Sequence, residues 1–357
     1  MEKMTAAVGA ARCAEGLFDL KMLLNAVGEH EEDIHCHRMT PLHLQEKTIL
    51  CEPKATAVVS QKGCALGIDI GSTSTDLVLM DCDGQLVDYQ YLRTSGNPEA
   101  AVRKGLAAIK EKFGEVTFCA VGVTGSGRER IGRMIGADVV KDEITAQAAG
   151  AAFSVPDVDT IFEIGGQDSK FISLKDGEVV DFQMNKICAA GTGSFVEEQA
   201  ARMGIPIDDF GPMALRGQAP VDLGERCTVF IETAIASAAS AGVEREDIAA
   251  GLCYAIVRNY LHKVVGSKHI GEKIVLQGGV NYNPGIVAAF QTVYGENITV
   301  NPYFSISGAL GAALLAMEET GDAGSRFRGF DGAEGGLVDE QFSEEIRKNI
   351  EFYRQSN

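Results

Sequence analysis

Residues 65–81 read Ala-Leu-Gly-Ile-Asp-Ile-Gly-Ser-Thr-Ser-Thr-Asp-Leu-Val-Leu-Met-Asp. Two apolar runs on either side of a Gly-Ser-Thr segment predict two strands joined by a tight connection. Asp83 and Gly84 then predict a hairpin turn into a third strand over 86–92. The N–H groups and hydroxyls of such a connection point at one spot, so it can cradle an anion without a helix or a lysine. The segment is not a P-loop, because no Gly-Lys-Ser or Gly-Lys-Thr follows it.

A second copy of this unit lies later in the chain. Residues 160–174 read Thr-Ile-Phe-Glu-Ile-Gly-Gly-Gln-Asp-Ser-Lys-Phe-Ile-Ser-Leu, and Asp176 with Gly177 supplies another turn. An internal repeat predicts two similar lobes, each with its own anion-binding loop. A polyphosphate bound there carries several negative charges, so it needs Mg²⁺ and oriented dipoles rather than one basic residue. The repeat therefore predicts a nucleotide between paired lobes.

Acidic side chains at these loops are the candidates for catalysis. Asp69 and Asp168 are predicted to hold Mg²⁺ or its water ligands, and Glu163 or Gln167 to orient an attacking water. The alternative interpretation is that Asp69 and Glu163 are only acids at strand ends. Two matched loops and a third glycine pair further along the chain favour the functional interpretation, because separate signals agree.

Composition limits the class of protein. The chain has 357 residues, 45% of them hydrophobic, and a formal net charge of −18, which argues against nucleic acid as a partner. No apolar run has the length of a membrane span, no signal peptide opens the chain, and the nine cysteines follow no disulfide framework. We therefore expect a cytoplasmic protein without a membrane partner. The predicted divisions are an N-terminal extension over 1–63, a first lobe over 64–155, a second lobe over 156–320, and a flexible link with a last helix over 321–357.

The remaining patterns predict an α/β fold. Helices are predicted at 98–113, 142–153, 194–203, 229–240, 244–265, 284–293, 307–319 and 338–354, and strands at 116–123, 274–276 and 298–300. Ser194 and Glu197 have the spacing of a capping box, which predicts that a helix begins there.

Two cysteines lie thirty-nine positions apart, Cys188 and Cys227, and each stands just ahead of a predicted helix. A thiol at a helix N-terminus is close to free N–H groups and the positive end of the dipole, which lower its pKa. Such positions suit a catalytic thiol or thiolates that ligate a metal cluster. Two buried structural cysteines are the alternative.

The N-terminal extension contains most of the histidines of the chain. After a predicted helix over 12–27 come His30, His35, Cys36, His37 and His43, flanked by Cys13 and Cys51. Their spacing matches no zinc or iron template, so we interpret the segment as a solvated appendage or a docking segment, with a metal site as the alternative.

Several of these segments resemble the activators (component A, activases) of 2-hydroxyacyl-CoA dehydratases and the ATPase subunits of benzoyl-CoA reductase. These proteins belong to the actin, sugar-kinase and heat-shock chaperone ATPase superfamily. The segments that carry the resemblance are Gly-Ile-Asp-Ile-Gly-Ser-Thr at 67–73, Ile-Gly-Gly-Gln-Asp at 164–168, Lys-Ile-Cys-Ala-Ala-Gly-Thr-Gly at 186–193, Cys-Thr-Val-Phe at 227–230, residues 275–281, and Ser-Gly-Ala-Leu-Gly-Ala-Ala at 307–313. The resemblance covers roughly 65–319 and implies two ribonuclease-H-like lobes with ATP in the cleft between them.

The resemblance also implies cofactors and partners. It implies one 4Fe–4S cluster shared across a homodimer, with Cys188 and Cys227 of each subunit as ligands, and ATP or ADP with Mg²⁺. Four thiolates from two subunits agree with the needs of such a cluster. The implied activity is an anaerobic, ATP-driven electron transfer from a ferredoxin or flavodoxin to a partner iron–sulfur dehydratase or reductase. Moving one electron about 300 mV uphill costs roughly 7 kcal/mol, which explains a need for ATP.

The predicted site residues follow from the loops and the resemblance together. The catalytic candidates are Asp69, Glu163, Gln167 and Asp168. The nucleotide-binding candidates are Gly71, Ser72, Thr73, Ser74, Thr75, Gly165, Gly166, Gln167, Gly191, Thr192, Gly193, Gly278, Gly279 and Asn281. The metal ligands are Cys188 and Cys227.

One position departs from the family pattern. Asp76 stands where the family commonly has a lysine, and a carboxylate cannot pair with phosphate. Two other functions are compatible with the scaffold. A small-molecule kinase would use Asp69 or Glu163 as a base and would need no cluster. An ATPase sensor without redox chemistry would show nucleotide-dependent partner binding alone.

Overall fold

The computed structural model describes residues 37–48, 50, 51, 53–60, 62–185, 191–225, 227–321 and 324–329. These residues form two five-stranded sheets. The first contains β1 (Cys64–Ile70), β2 (Ser74–Asp81), β3 (Leu86–Arg93), β4 (Phe118–Thr124) and β5 (Val139–Val140). The second contains β6 (Thr160–Ile164), β7 (Ser169–Lys175), β8 (Glu178–Met184), β9 (Ile274–Gln277) and β10 (Ile298–Val300).

The two sheets have the same topology. Their strand orders are β3-β2-β1-β4-β5 and β8-β7-β6-β9-β10. In each sheet the first three strands are antiparallel, and the fourth and fifth run parallel to the first. Strands β1 and β6 are apolar because they lie in the middle of their sheets, with both faces covered. The predicted internal repeat and the predicted two-lobed α/β fold are confirmed.

Nine α-helices surround the sheets in the described part of the chain. They are α1 (Pro98–Phe113), α2 (Arg128–Ile135), α3 (Glu143–Ser154), α4 (Gly193–Arg202), α5 (Ile207–Ala214), α6 (Thr228–Ser240), α7 (Arg245–Tyr260), α8 (Pro284–Tyr294) and α9 (Ser307–Thr320). A π-turn (Leu261–Val265) extends α7, and short 3₁₀ turns occupy Gly279–Tyr282 and Gly295–Asn297. Side-chain caps fix several starts: Asn97 accepts from the Ala100 N–H, and Asp142 from the Thr145 N–H.

Helices α3 and α9 each pack on the sheet of the other half of the chain. Helix α9 follows the second sheet in sequence, but its alanines pack on the first sheet. Helix α3 precedes the second sheet and packs on it. The two helices meet at Gly150 and Gly311, where an added Cβ would collide with the opposite backbone. The lobe boundaries at 155 and 320 stay a prediction, but α9 lies on the first lobe although its sequence falls within the predicted second lobe.

The described part of the predicted extension contacts both lobes, so it is not detached from them, although most of its side chains are exposed. Leu42 is buried in the core of the second lobe, and the Tyr254 hydroxyl donates to the Thr40 carbonyl over 2.8 Å. Further along, the N–H groups of Thr56 and Ala57 donate over 2.9 Å to carbonyls of strand β3 in the first lobe. Burial of Leu42 and pairing with an edge strand both favour this position.

Other parts of the predicted extension lie outside the described residues, including the helix over 12–27, Cys13, His30, His35 and Cys36. Among the residues that are described, no group of three or more His, Cys, Asp or Glu side chains could hold a metal ion. His37 and His43 therefore belong to no such group there. No described helix is long and apolar enough to cross a membrane.

Three further details differ from the predictions. Helices α2 and α5 and strand β5 were not predicted. Helix α5 contains Gly211 and Pro212, which ordinarily break helices. Helix α4 begins at Gly193 with Thr192 as its N-cap, so the capping box at Ser194 is wrong. Residues 324–329 pack on the first lobe, where the Phe327 and Phe118 rings lie 5.0 Å apart, rather than forming an unattached link. The predicted helix over 338–354 lies outside the described residues.

Candidate nucleotide site and the position of Cys227

A cleft of about 410 Å³ lies between the lobes, where β1 turns into β2 and β6 turns into β7. This volume is within the range of small-molecule sites. The residues around it are Asp69, Gly71, Ser72, Thr73, Ser74, Asp76, Tyr91, Gly125, Ser126, Glu143, Gln147, Glu163, Gly165, Gly166, Gln167, Asp168, Lys170, Asn185, Gly278, Gly279, Phe304, Ser305 and Gly308. All four predicted catalytic residues and most of the predicted nucleotide-binding residues are among them.

The remaining predicted residues lie at the margin. The Thr75 hydroxyl is 2.8 Å from that of Thr94 and fully buried, so it ties β2 to the segment after β3. The Asn281 side chain donates to the Gly278 carbonyl over 3.0 Å and shapes the glycine pair from behind. Gly191 lies against α7, Thr192 is the N-cap of α4, and Gly193 lines a neighbouring cavity.

The two hairpin loops have the same backbone turn. The Gly71 N–H donates to the Ser74 carbonyl, and the Gly165 N–H donates to the Asp168 carbonyl, both over 2.9 Å. Glycine elsewhere keeps the cleft open. Gly278 has a φ of +94° and touches the Ile164 backbone. A Cβ at Gly308 would collide with the Asp69 carboxylate, so α9 can approach that acid only through a glycine.

The cleft is strongly acidic. Among the described residues its lining carries five carboxylates, from Asp69, Asp76, Glu143, Glu163 and Asp168, against one ammonium group, that of Lys170. Lys170 is 3% exposed, and its Nζ lies 2.8 Å from Glu163, 2.9 Å from Asp168 and 3.2 Å from Glu143. This charge distribution disfavours a bare polyphosphate and favours one that carries cations.

Burial shifts the titration of these groups. Desolvation raises the pKa of Asp69 to about 6 despite the attraction of Lys170, and raises the pKa of Glu163 to about 7. The pKa of Asp76 lies well above its usual range because the group is buried and faces Asp69. Burial opposes the charge on Lys170, but the neighbouring carboxylates outweigh it and raise its pKa.

These residues fit Mg²⁺, which binds proteins through one or two carboxylates and takes its other ligands from phosphate and water. The Oδ1 atom of Asp76 and the hydroxyl of Thr73 are buried without a hydrogen-bond partner among the described residues. Asp69 and Asp168 lie at the two loops, where they would hold the ion. Mg²⁺ bound there would neutralise phosphate oxygens.

A second cavity of about 340 Å³ adjoins the first and shares Thr73, Tyr91, Gly166 and Gly279 with it. Its lining is more apolar and includes Val196 and Ile286. At this cavity Arg93 of the first lobe pairs with Glu197 of the second, with 3.0 Å between nitrogen and oxygen. A nucleoside suits an apolar cavity next to a phosphate-binding loop.

The cleft side chains that sequence reasoning missed include Glu143, Gln147 and Lys170. The Gln147 amide oxygen accepts from Gln277 over 2.7 Å and from Ser307 over 2.8 Å, which joins α3, β9 and α9. The signal for Lys170 was available, because the repeat places it at the position that Asp76 has in the first hairpin.

Cys227 stands just ahead of a helix, as predicted: it is the N-cap of α6, and it is partly exposed. Directly after it, Val229 and Phe230 are 63% and 72% exposed. The other predicted ligand, Cys188, lies in the segment 186–190, outside the described residues.

A chain of contacts joins the second hairpin loop to α6. The N–H groups of Gly193 and Ser194 donate to the carbonyls of Gly165 and Gly166, over 3.0 Å and 2.7 Å. These bonds satisfy the first turn of α4 in place of a side-chain cap. From the same helix, Gln199 and Arg202 donate to the Glu232 carboxylate of α6, over 3.2 Å and 3.0 Å.

Comparisons with known sequences agree with this site. Residues 66–316 match the sequence profile described as the BadF/BadG/BcrA/BcrD ATPase family. The chain is 33% identical to the (R)-2-hydroxyglutaryl-CoA dehydratase activating ATPase of Acidaminococcus fermentans, over 71% of this chain and 97% of that protein. It is also 33% identical to the 2-hydroxyisocaproyl-CoA dehydratase activator of Clostridioides difficile, over 71% and 95%. An uncharacterised protein of Methanocaldococcus jannaschii is 31% identical over 76% of this chain, which spans 65% of that protein.

Solved structures give the same result. The activator of the 2-hydroxyisocaproyl-CoA dehydratase from Clostridium difficile, with bound ADPNP, superposes with a TM-score of 0.66 at 32% identity, covering 73% of this chain and 96% of that one. Component A of the (R)-2-hydroxyglutaryl-CoA dehydratase of Acidaminococcus fermentans gives 0.65 at 30% identity, covering 72% and 98%. The predicted resemblance and fold class are confirmed, and the chain belongs to the BadF/BadG/BcrA/BcrD ATPase family.

Proposed function

We propose that this chain is an ATP-dependent activator that passes a low-potential electron to a partner iron–sulfur dehydratase or reductase. Relatives named as dehydratase activators support the activator role, as does a 25% identical relative from Thauera aromatica that is named as part of benzoyl-CoA reductase. The observation that carries the proposal is the contact between the loop Gly165–Gly166 and α4, because it links the nucleotide cleft to the helix headed by Cys227.

The cleft residues would carry out the hydrolysis of ATP. The loops after β1 and β6 would hold the phosphates through their N–H groups, and Asp69 and Asp168 would hold Mg²⁺. Glu163 is the better candidate to orient and deprotonate water, since its pKa of about 7 is close to the working pH of a general base. Lys170 would keep Glu163 in place, because its ammonium group is bonded to that carboxylate.

The electron carrier would be a 4Fe–4S cluster between two copies of the chain, ligated by Cys188 and Cys227 of each. A partly exposed thiol at a helix N-terminus fits a cluster with negative charge. The exposed Val229 and Phe230 support self-association at this place, because apolar side chains beside a shared site gain from burial. Such a cluster stores one electron at a time.

Nucleotide state would reach this region through the contacts of α4. A closing or opening of the lobes moves the loop at Gly165 and Gly166, and α4 is bonded to that loop. The Glu232 carboxylate then transmits the movement to α6. A ferredoxin or flavodoxin in the cytoplasm is the proposed electron donor.

The proposal is tested by iron and sulfide analysis after anaerobic purification of the full chain. We expect about four iron atoms per dimer. Cys227→Ser and Cys188→Ser should each lose the iron, since each removes two of the four ligands from a symmetric dimer. Cys51→Ser, at an exposed cysteine outside this region, is the control and should keep it. Wild-type iron in either ligand variant contradicts the shared cluster.

A further inference from the structure

The two hairpins differ at one pair of facing residues. In the second hairpin Glu163 is paired across the strands with Lys170, and their charged groups lie 2.8 Å apart. In the first hairpin the same two positions are Asp69 and Asp76, two acids directly opposite each other. Like charges at facing positions of an antiparallel pair destabilise it. The first hairpin therefore lacks the internal counter-ion that the second one has.

Asp76 has little to balance its charge. It is 6% exposed, and the one hydrogen bond of its side chain to the described residues is from the Ser74 hydroxyl, which lies 3.3 Å from Oδ2. Its Oδ1 atom is buried without a partner in the described part of the chain. Its neighbour on the other side, on strand β3, is Tyr91. No described lysine or arginine forms an ion pair with it, since Lys170 is occupied by Glu143, Glu163 and Asp168.

Asp76 also lines the cleft beside Asp69, and its unpartnered Oδ1 atom is buried at that place. Two adjacent carboxylate oxygens are the protein ligands that Mg²⁺ prefers, and phosphate oxygens and water complete its shell. A carboxylate at this position repels a phosphate that approaches alone. It attracts a phosphate that carries a divalent cation.

We propose that Asp76 and Asp69 together hold a divalent cation at the first hairpin, at the place where the second hairpin has the ammonium group of Lys170. The proposal rests on the proposed nucleotide site and extends it. The cation would enter with the nucleotide and would neutralise the facing acids. Nucleotide binding by the wild-type chain should then depend on the cation more strongly than nucleotide binding by the Asp76→Lys variant.

The test uses Mn²⁺ as the probe, with the full chain prepared anaerobically and a non-hydrolysable ATP analogue. Bound and free Mn²⁺ are separated by their EPR signals. Asp76→Asn keeps the shape and the bond from Ser74 but removes the charge, and it should weaken Mn²⁺ binding by about tenfold or more. Asp83→Asn changes the same charge at an exposed turn of the same sheet and should leave Mn²⁺ binding unchanged.

Asp76→Lys recreates in the first hairpin the acid–lysine pair of the second. We expect this variant to bind the analogue with little dependence on Mn²⁺, and thermal unfolding shows whether it is folded. Equal Mn²⁺ affinity in wild type and Asp76→Asn overturns the proposal.

A failure of the nucleotide site gives a different result, namely that the wild-type chain binds no analogue at any Mn²⁺ concentration. In that case thermal unfolding is measured with Mn²⁺ and without nucleotide. A rise in the unfolding temperature of wild type, absent from Asp76→Asn, supports the cation site, and an equal rise in both overturns it.

Discussion

The two hairpins at the cleft have the same backbone turn but differ in the charges of their facing residues. Across the first sheet the facing residues are Tyr91, Asp76, Asp69 and Thr124, and across the second they are Met184, Lys170, Glu163 and Gln277. The strand order and the turn are equal in both. The second row contains an acid and its own cation, whereas the first row contains two acids and no cation.

The difference shows how one duplicated unit can serve two purposes. A carboxylate paired with a buried lysine is held in one geometry, which suits a residue that must orient water. A pair of unneutralised acids has no such constraint and gains most when a cation arrives with the substrate. We infer that the second hairpin positions the chemistry and the first one receives the charge of the ligand.

Breaking the ion pair between Glu163 and Lys170 in the second hairpin should have the largest effect on stability. Lys170→Met keeps the length of the side chain but leaves Glu163 buried without its cation, which typically costs about 3–5 kcal/mol of unfolding free energy. Lys273→Met, at an exposed pair with Asp157, is the control and should cost much less, because water screens that pair. Chemical denaturation of the nucleotide-free chain measures both. Equal losses would show that the buried pair contributes no more than a surface one.

Removing either loop acid should affect hydrolysis without affecting iron. Asp69→Ala and Asp168→Ala should each lower the rate of ATP hydrolysis by about 100-fold, because each removes an electrostatic contact to Mg²⁺. Iron content should stay at the wild-type level, since neither acid is near the predicted cluster ligands in sequence. Normal turnover in both variants would place the catalytic carboxylate elsewhere.

Much of this site could be predicted from sequence because its signals are local. The hairpins follow from apolar runs around glycine turns, and the position of Cys227 just ahead of a helix follows from the helical pattern predicted over 229–240. The repeat itself located the cleft, since two copies of one unit imply two facing loops.

The missed features depend on contacts between distant segments. Lys170 forms ion pairs with carboxylates of α3, β6 and the loop before β7. No spacing in the sequence indicates that these segments meet. The packing of α3 and α9 on the sheet of the other half of the chain depends on the contact between Gly150 and Gly311. That contact is tertiary. Leu42 looks like part of a polar extension, but it is buried against the second lobe.

The acid of the second pair should make stability depend on pH. The pKa of Glu163 is about 7 in the folded chain, above its ordinary 4.5, so the folded state holds a proton that the unfolded state has lost. Unfolding free energy should therefore fall as the pH rises from about 4.5 to about 7, by on the order of 1–3 kcal/mol from this group. Glu163→Gln should flatten the profile in denaturation at pH 5, 6, 7 and 8. An unchanged slope would assign the pH dependence to other groups.

Replacing one of the two facing acids of the first hairpin, Asp69 and Asp76, should have the smallest effect, and it should raise stability rather than lower it. Asp76→Asn removes the free-energy cost of burying an acid opposite Asp69, so the chain without metal or nucleotide should become more stable by about 0.5–1 kcal/mol. Thermal unfolding in the presence of a chelator measures this change. A loss of stability would mean that the Asp76 charge is already balanced within the chain.

The proposed function couples the nucleotide cleft to the region of Cys227. Its most direct test is low-temperature EPR of the anaerobically purified, reduced chain, recorded with and without Mg²⁺ and a non-hydrolysable ATP analogue. We expect an iron–sulfur signal whose shape or intensity changes when the analogue binds. Protein without iron, or a signal that stays the same while binding of the analogue is verified separately, would contradict the account.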